Sequence, residues 1–342
     1  MQTFVAVQIT FEPVTVENEP TVYNPSGIAT NDIGVFKIEV LPENTIPDNA
    51  IIWTICQGDI SFVNNNNRGR LLQVRAGTTT NEFKLEIDIQ NLNLINKPHI
   101  EGRVLLPTII PAYVWIVRKT DGSYPAISIE WVSNRLVSAN ALLKQAGMQV
   151  VIREINYTND TELLTLTYTN GIFQGAATLR SITNNTDGIE LYFVKEIVRD
   201  ENEMILGMED ETGIILSSSY LSNYQVMAHE ILHTCGLRDI YINENELSVV
   251  GLATIDRLPS DWGGGYYASG SILQETLIRR NLMSGYLEEG ASDIPLGSIY
   301  GVWYEGGVGE KIEEEDLEIL IWQMDLAPIG LNNLSTRQPT HQ

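Results

Sequence analysis

His229-Glu-Ile-Leu-His-Thr-Cys-Gly-Leu-Arg-Asp239 is the stretch on which the reading of this chain turns. Two histidines four positions apart share one face of an α-helix, so both imidazoles can reach a single metal ion. Glu230 projects beside that face, where its carboxylate can act on a water held by the ion. Gly236 suits the left-handed conformation that closes many helices. The chain can then turn back and bring Asp239, six residues beyond His233, towards the two rings. That third group matters because a catalytic zinc takes three protein ligands and a water. A bare His-Glu-x-x-His arises by accident in roughly one chain per hundred of this length, and the added Gly and Asp make the coincidence rarer by about two to three orders of magnitude. The chain holds only 4 His, and two of them stand here.

The flanking residues predict a helix at the right place. Ser222-Asn-Tyr-Gln225 has the form of a capping box, with the Ser222 hydroxyl and Gln225 amide able to satisfy the first free backbone N–H groups. Val226, Met227, Ile231, Leu232 and Cys235 supply apolar positions for packing. Cys235 is two residues past His233, turned roughly 200° around the helix from the metal face, and reads as a small core residue rather than a thiolate ligand.

A second signature lies downstream, at Asn281-Leu-Met-Ser-Gly-Tyr286. Together with the extended histidine motif it resembles the metzincin clan of zinc endopeptidases, whose members place a Met-containing tight turn beneath the metal. The resemblance implies that Met283 forms that hydrophobic floor. It also implies that Tyr286, just past the turn, approaches the metal or the oxyanion, although in the commonest pattern the Tyr stands two residues after the Met and here it stands three. Most members carry a third His where this chain has Asp239, which is similar to the snapalysin-like variant. A carboxylate is an acceptable zinc ligand, and it adds negative charge that weakens the Lewis acidity of the ion. The alternative is a gluzincin arrangement, in which a later Glu completes the site, with Glu244, Glu246 and Glu275 as the candidates. Gly236 and Met283 have no role in that scheme.

Upstream of the motif, Tyr113-Val-Trp-Ile-Val-Arg118 reads as a strand. A helix follows at about 129–146, where Trp131, Val132, Leu136, Ala139, Leu142 and Leu143 form an apolar stripe that stops at Gly147. Met148–Ile155, Ile189–Val194 and Gly213–Ser218 read as further strands. Strand, long helix, strands and then the metal helix is the order the resemblance implies for an amino-terminal metzincin subdomain. The remainder, rich in Gly and Tyr, would form a smaller subdomain closed by a helix near 313–324, whose acidic start complements the helix dipole. The resemblance covers about 110–330, with specific motifs only at 229–239 and around Met283.

Residues 1–106 follow another rule. Phe36, Ile38 and Val40 alternate with Lys37 and Glu39, and Leu85–Ile89 does the same. Such runs, separated by Asn-, Gly- and Pro-rich turns and without helical periods, predict an all-β sandwich. The order Ile52-Trp53, Gly58–Phe62 and Val74–Gly77 with a closing strand resembles bacterial immunoglobulin-like domains. The expected organisation is therefore multi-domain: an immunoglobulin-like sandwich at 1–106 for spacing, docking or substrate binding, then an α+β metzincin-like domain at 107–342. The hinge is expected between Asn96–His99 and Leu106-Pro107. A chain of 342 residues exceeds what one core covers.

Charge narrows the partners. With 44 acidic against 21 basic residues, the net charge of −23 offers no basic stripe to nucleic acid or an anionic membrane. No apolar run is long enough to insert into a bilayer. Asp200–Glu203 and Glu209–Thr212 read as acidic loops that offer carboxylates to structural calcium, which many metzincins use, though neither matches a defined calcium loop. The 2 Cys make no disulfide framework; Cys56 is expected in a buried strand, and His99 and His341 are expected to be exposed. Members of the clan are usually exported, so the resemblance implies a secreted or cell-surface protein, although Met1 to Thr10 lacks the features of a secretory signal.

The chemistry that follows is zinc-assisted hydrolysis of peptide bonds in protein or peptide substrates, with His229, His233 and Asp239 as ligands and Glu230 as general base. The rival from another class is an adhesin or binding protein on a peptidase scaffold, with a structural metal. An intact Glu230 argues against it, because structural zinc sites have no use for a general base. Nothing in the sequence fixes an oligomeric state.

Overall fold

Period-two alternation builds the first part of the molecule. The structure, a computed structural model, describes residues 8–11, 24–41, 45–94, 97–169, 172–182, 187–200, 203–205, 207–210, 213–218, 224–235, 240–242, 254–257 and 266–269. It is mostly β, arranged in several sheets. The described residues fall into two compact units, one running to Thr108 and including Ala141–Gln149, the other comprising Ile109–Asn140 and the described chain from Val150.

In the first unit, strands β1 (Gln8–Phe11), β2 (Gly27–Ala29), β3 (Ile33–Leu41), β4 (Ile51–Gln57), β5 (Ile60–Phe62), β6 (Leu71–Ala76), β7 (Glu82–Ile89) and β8 (His99–Leu105) make two four-stranded sheets. Their orders are β1-β3-β6-β5 and β2-β8-β7-β4. Phe36, Ile38, Leu72 and Val74 from one sheet and Trp53, Phe83, Leu85 and Ile87 from the other share a single apolar cluster. Trp53, fully buried, donates its indole N–H to the Gly69 carbonyl at 2.8 Å, so its one polar atom is satisfied.

The segment in which the hinge is expected holds strand β8, paired antiparallel to β7, and the first unit runs on to Thr108, next to Leu106-Pro107. Its Pro and Gly content resembles a linker, but Gly102 is a packing residue: a methyl there would fall 2.5 Å from the Phe83 ring. Cys56, expected inside, is exposed. Its strand buries Ile51 and Trp53, so odd positions face the core and Cys56 faces out.

In the second unit a five-stranded sheet carries the site. Its members are β9 (Thr108–Arg118), β10 (Met148–Asn159), β13 (Ile189–Val194), β16 (Gly207–Asp210) and β17 (Gly213–Ser217), in the order β10-β9-β13-β17-β16. Strands β9, β13 and β17 are parallel, and β16 closes the sheet antiparallel to β17. Helix α1 (Ile129–Leu143) follows β9. It buries Val132, Leu136, Ala139, Leu142 and Leu143, while Trp131 is half-buried and meets Phe193 edge-on. On the opposite face Trp115, Tyr192, Ile215 and Met208 join the core that includes Leu163, Leu164, Leu166 and Leu179. That layer comes from β11 (Thr165–Thr169), β12 (Ile172–Gln174), α2 (Ala176–Arg180), β14 (Glu196–Asp200) and β15 (Glu203–Ile205), whose strands form a separate sheet, β12-β11-β14-β15.

The stretches expected as acidic loops thus overlap strand ends: Asp200 closes β14, Glu203 opens β15, and Glu209 and Asp210 belong to β16. Helix α3 (Tyr224–Thr234) comes next and packs on β16 and β17. Beyond it, β18 (Ile240–Ile242), β19 (Thr254–Arg257) and β20 (Tyr266–Ser269) form a three-stranded sheet, ordered β18-β20-β19. The helix expected near 313–324 lies outside the described residues. No helix among the described residues is long and apolar enough to cross a membrane.

Candidate metal centre

Helix α3 is apolar on nearly every side. Val226, Met227, Ala228, Ile231, Leu232 and Cys235 are all buried, which fixes the helix against the sheet. The two motif residues in the middle of this run, His229 and Glu230, are each only 7% exposed, and His233, one turn on, is half-buried. The expected capping residue Ser222 lies outside the described residues.

The four-residue spacing does what helix geometry requires. The His229 and His233 rings are 4.5 Å apart between centroids and almost perpendicular, at 85°. Their Nε2 atoms approach to 3.0 Å. That separation suits an N–H···N hydrogen bond in one tautomeric arrangement, and it equally suits two nitrogens directed at one cation. At zinc–nitrogen bond lengths, two atoms so placed subtend about 95° at the ion, close to a tetrahedral ligand pair. The separation of the two nitrogens is thus one that a zinc ion could bridge.

Glu230 leaves the helix towards the sheet. Its side chain lies against Gly207, the first residue of β16: a methyl group there would fall 2.8 Å from both Cγ and Oε1 of Glu230 and 3.0 Å from Cδ. The register explains why this place is open. Ile116, Phe193, Leu216 and Gly207 are successive partners across β9, β13, β17 and β16. The first three are bulky and fully buried. Gly207 ends the row without a side chain, and the Glu230 carboxylate occupies the space a larger residue would take.

Sequence reasoning singles out His229, Glu230 and His233; the structure brings the two imidazoles together and directs Glu230 towards β16. Sequence reasoning passes over Gly207, because a glycine opening a short charged strand carries no motif; its only signal is its place just before the strand that feeds the metal helix. Asp239, Met283 and Tyr286, and the alternatives Glu244, Glu246 and Glu275, lie outside the described residues. Among the described residues, no group of three His, Cys, Asp or Glu side chains stands together as a metal site. Compared with known proteins, the chain matches no protein-family model and no curated protein.

Proposed function

We propose that this protein is a zinc-dependent endopeptidase of metzincin type, with the peptidase machinery in the second unit and an immunoglobulin-like β-sandwich in the first. The observation that carries the reading is the pair of imidazole nitrogens 3.0 Å apart on a buried helix, whose next residue after His229 is a buried glutamate. Burying such groups costs several kcal/mol unless each is paired or ligated, and a shared cation is one arrangement that gives both ring nitrogens a partner. The topology supports the same reading: strand, long helix, strands and metal helix follow one another in the order that the resemblance implies.

His229 and His233 would hold the ion through Nε2, and Asp239 would complete the protein ligands. When bound, zinc supplies a Lewis acid for the scissile carbonyl and lowers the pKa of its water. Glu230 takes the proton of the attacking water and delivers it to the departing amine. In this reading Met283 would floor the site, and the Tyr286 hydroxyl would steady the developing oxyanion. Substrate enters as an extended segment. Strand β16 ends its sheet among the described residues, and a peptide laid along such an edge gains main-chain hydrogen bonds irrespective of its sequence.

Zinc binding tests the ligand set. Elemental analysis after dialysis against zinc is expected to give one ion per parent chain and a near-complete loss in His233→Ala and in Asp239→Ala. Full zinc retention by Asp239→Ala would move the third ligand to a later Glu and make the protein a gluzincin. Full retention by His233→Ala would end the metal assignment altogether.

A further inference from the structure

We propose that Gly207 is a positioning residue for the general base: by having no side chain, it lets the Glu230 carboxylate settle against the backbone of β16, and this contact sets where the proton-accepting oxygen stands. The inference rests on the endopeptidase reading above and extends it to a residue on a different element.

Three observations combine here. The three atoms nearest a Cβ at position 207 would be Cγ, Oε1 and Cδ of Glu230, at 2.8, 2.8 and 3.0 Å. The colliding atoms are the middle and the end of one glutamate side chain and none is backbone, so the clash is relieved by turning the carboxylate rather than by shifting the paired strand. Gly207 is also absent from the residues with positive φ, so its backbone is one that any amino acid adopts. The glycine is therefore not needed to make a turn. Indeed, an alanine is the better strand residue on conformational entropy alone. What remains as its role is the space it leaves, at the end of a row whose other members are Ile116, Phe193 and Leu216.

The consequence is a residue whose replacement the fold tolerates and the chemistry does not. General-base catalysis depends on an oxygen held within hydrogen-bonding distance of the water proton, and displacement of about 1 Å is enough to cost on the order of a hundredfold in rate. The atoms nearest the added methyl all belong to Glu230 and none to the two histidines.

The experiment compares parent, Gly207→Ala, Glu230→Asp, the double variant of these two and Glu230→Ala, each supplied with zinc, using an unfolded casein as substrate. Gly207→Ala is expected to lower kcat by about a hundredfold, with KM within about twofold, unchanged zinc stoichiometry and an unchanged melting temperature. In the Glu230→Asp background the same substitution is expected to cost less than about threefold, because a carboxylate shortened by one methylene clears the added methyl. Parent-like kcat in Gly207→Ala overturns the inference while leaving the endopeptidase reading intact. So does a loss of rate accompanied by loss of zinc or of thermal stability, and so does an undiminished penalty in the Glu230→Asp background. A parent chain that binds no zinc and cleaves no faster than Glu230→Ala removes the reading, and the inference with it.

Discussion

A carboxylate that accepts two backbone N–H groups resists protonation, and Asp59 is such a group. Its Oδ2 accepts from the amides of Thr78 and Thr79, each at 2.9 Å. The Thr79 backbone bond, then the Thr79 side chain, hold its pKa below the ordinary aspartate value. Gly77 makes the clamp possible, since a methyl there would lie 2.2 Å from the carboxylate atoms. A depressed folded pKa contributes stability that is present above the unfolded value, near pH 4, and is lost as pH falls through the lower folded one. Asp59→Asn is thus expected to lower the urea midpoint at pH 7, with the difference from the parent closing as pH falls below the ordinary aspartate range. A difference independent of pH would show that charge has no part in the clamp. At this scale legibility follows sequence distance. His229, Glu230 and His233 lie within one helical turn, so their spacing alone announces them. Asp59 and Gly77 meet across a loop, and Gly207 meets Glu230 across two elements; no local pattern encodes either encounter.

Elements are held at their edges by particular side chains, and β10 gives the clearest case. Asn140 of α1 accepts the Val150 amide N–H through Oδ1 and donates its Nδ2 to the Val150 carbonyl, both at 2.8 Å. The side chain thereby satisfies both backbone groups of one residue on a strand that ends its sheet among the described residues. Asn140→Ala is expected to destabilise the protein by about 2 kcal/mol, measured by urea unfolding, because two buried-side hydrogen bonds are lost without replacement. An effect below about 0.5 kcal/mol would mean that water takes over both bonds. Elements with internal periodicity were readable in advance. Ile189–Val194 is a central strand buried throughout, and its run of apolar residues marks it. The stripe of α1 predicts its buried face, apart from the half-buried Trp131. Strand β16 was not readable, because Glu209 and Asp210 are weak strand formers and charge is what edges tolerate. Strand β8 was hidden by Pro98, Pro107 and the glycine that Phe83 requires.

Over the whole molecule, the sequence divides into a part governed by alternation and a part in which alternation and helical periods mix, and the two apolar clusters follow that division. The strand-rich character was legible for this reason. The grouping of Ala141–Gln149 with the first unit was not, since it depends on contacts such as the Thr108 amide with the Gly147 carbonyl at 2.8 Å and Lys144 with Asp32. The acidic balance of −23 shapes solubility and partner choice rather than the fold. The proposed chemistry turns on one arrangement, a buried helix that would hold two imidazoles for a zinc ion and a carboxylate for its water. Cleavage of an unfolded protein, compared between the zinc-loaded parent and zinc-loaded Glu230→Ala, is the decisive measurement. Turnover is expected from the parent, with a loss of at least about a hundredfold in the variant and equal zinc content in both. Equal turnover in the two proteins, or none in a parent that carries its zinc, would contradict the proposed chemistry.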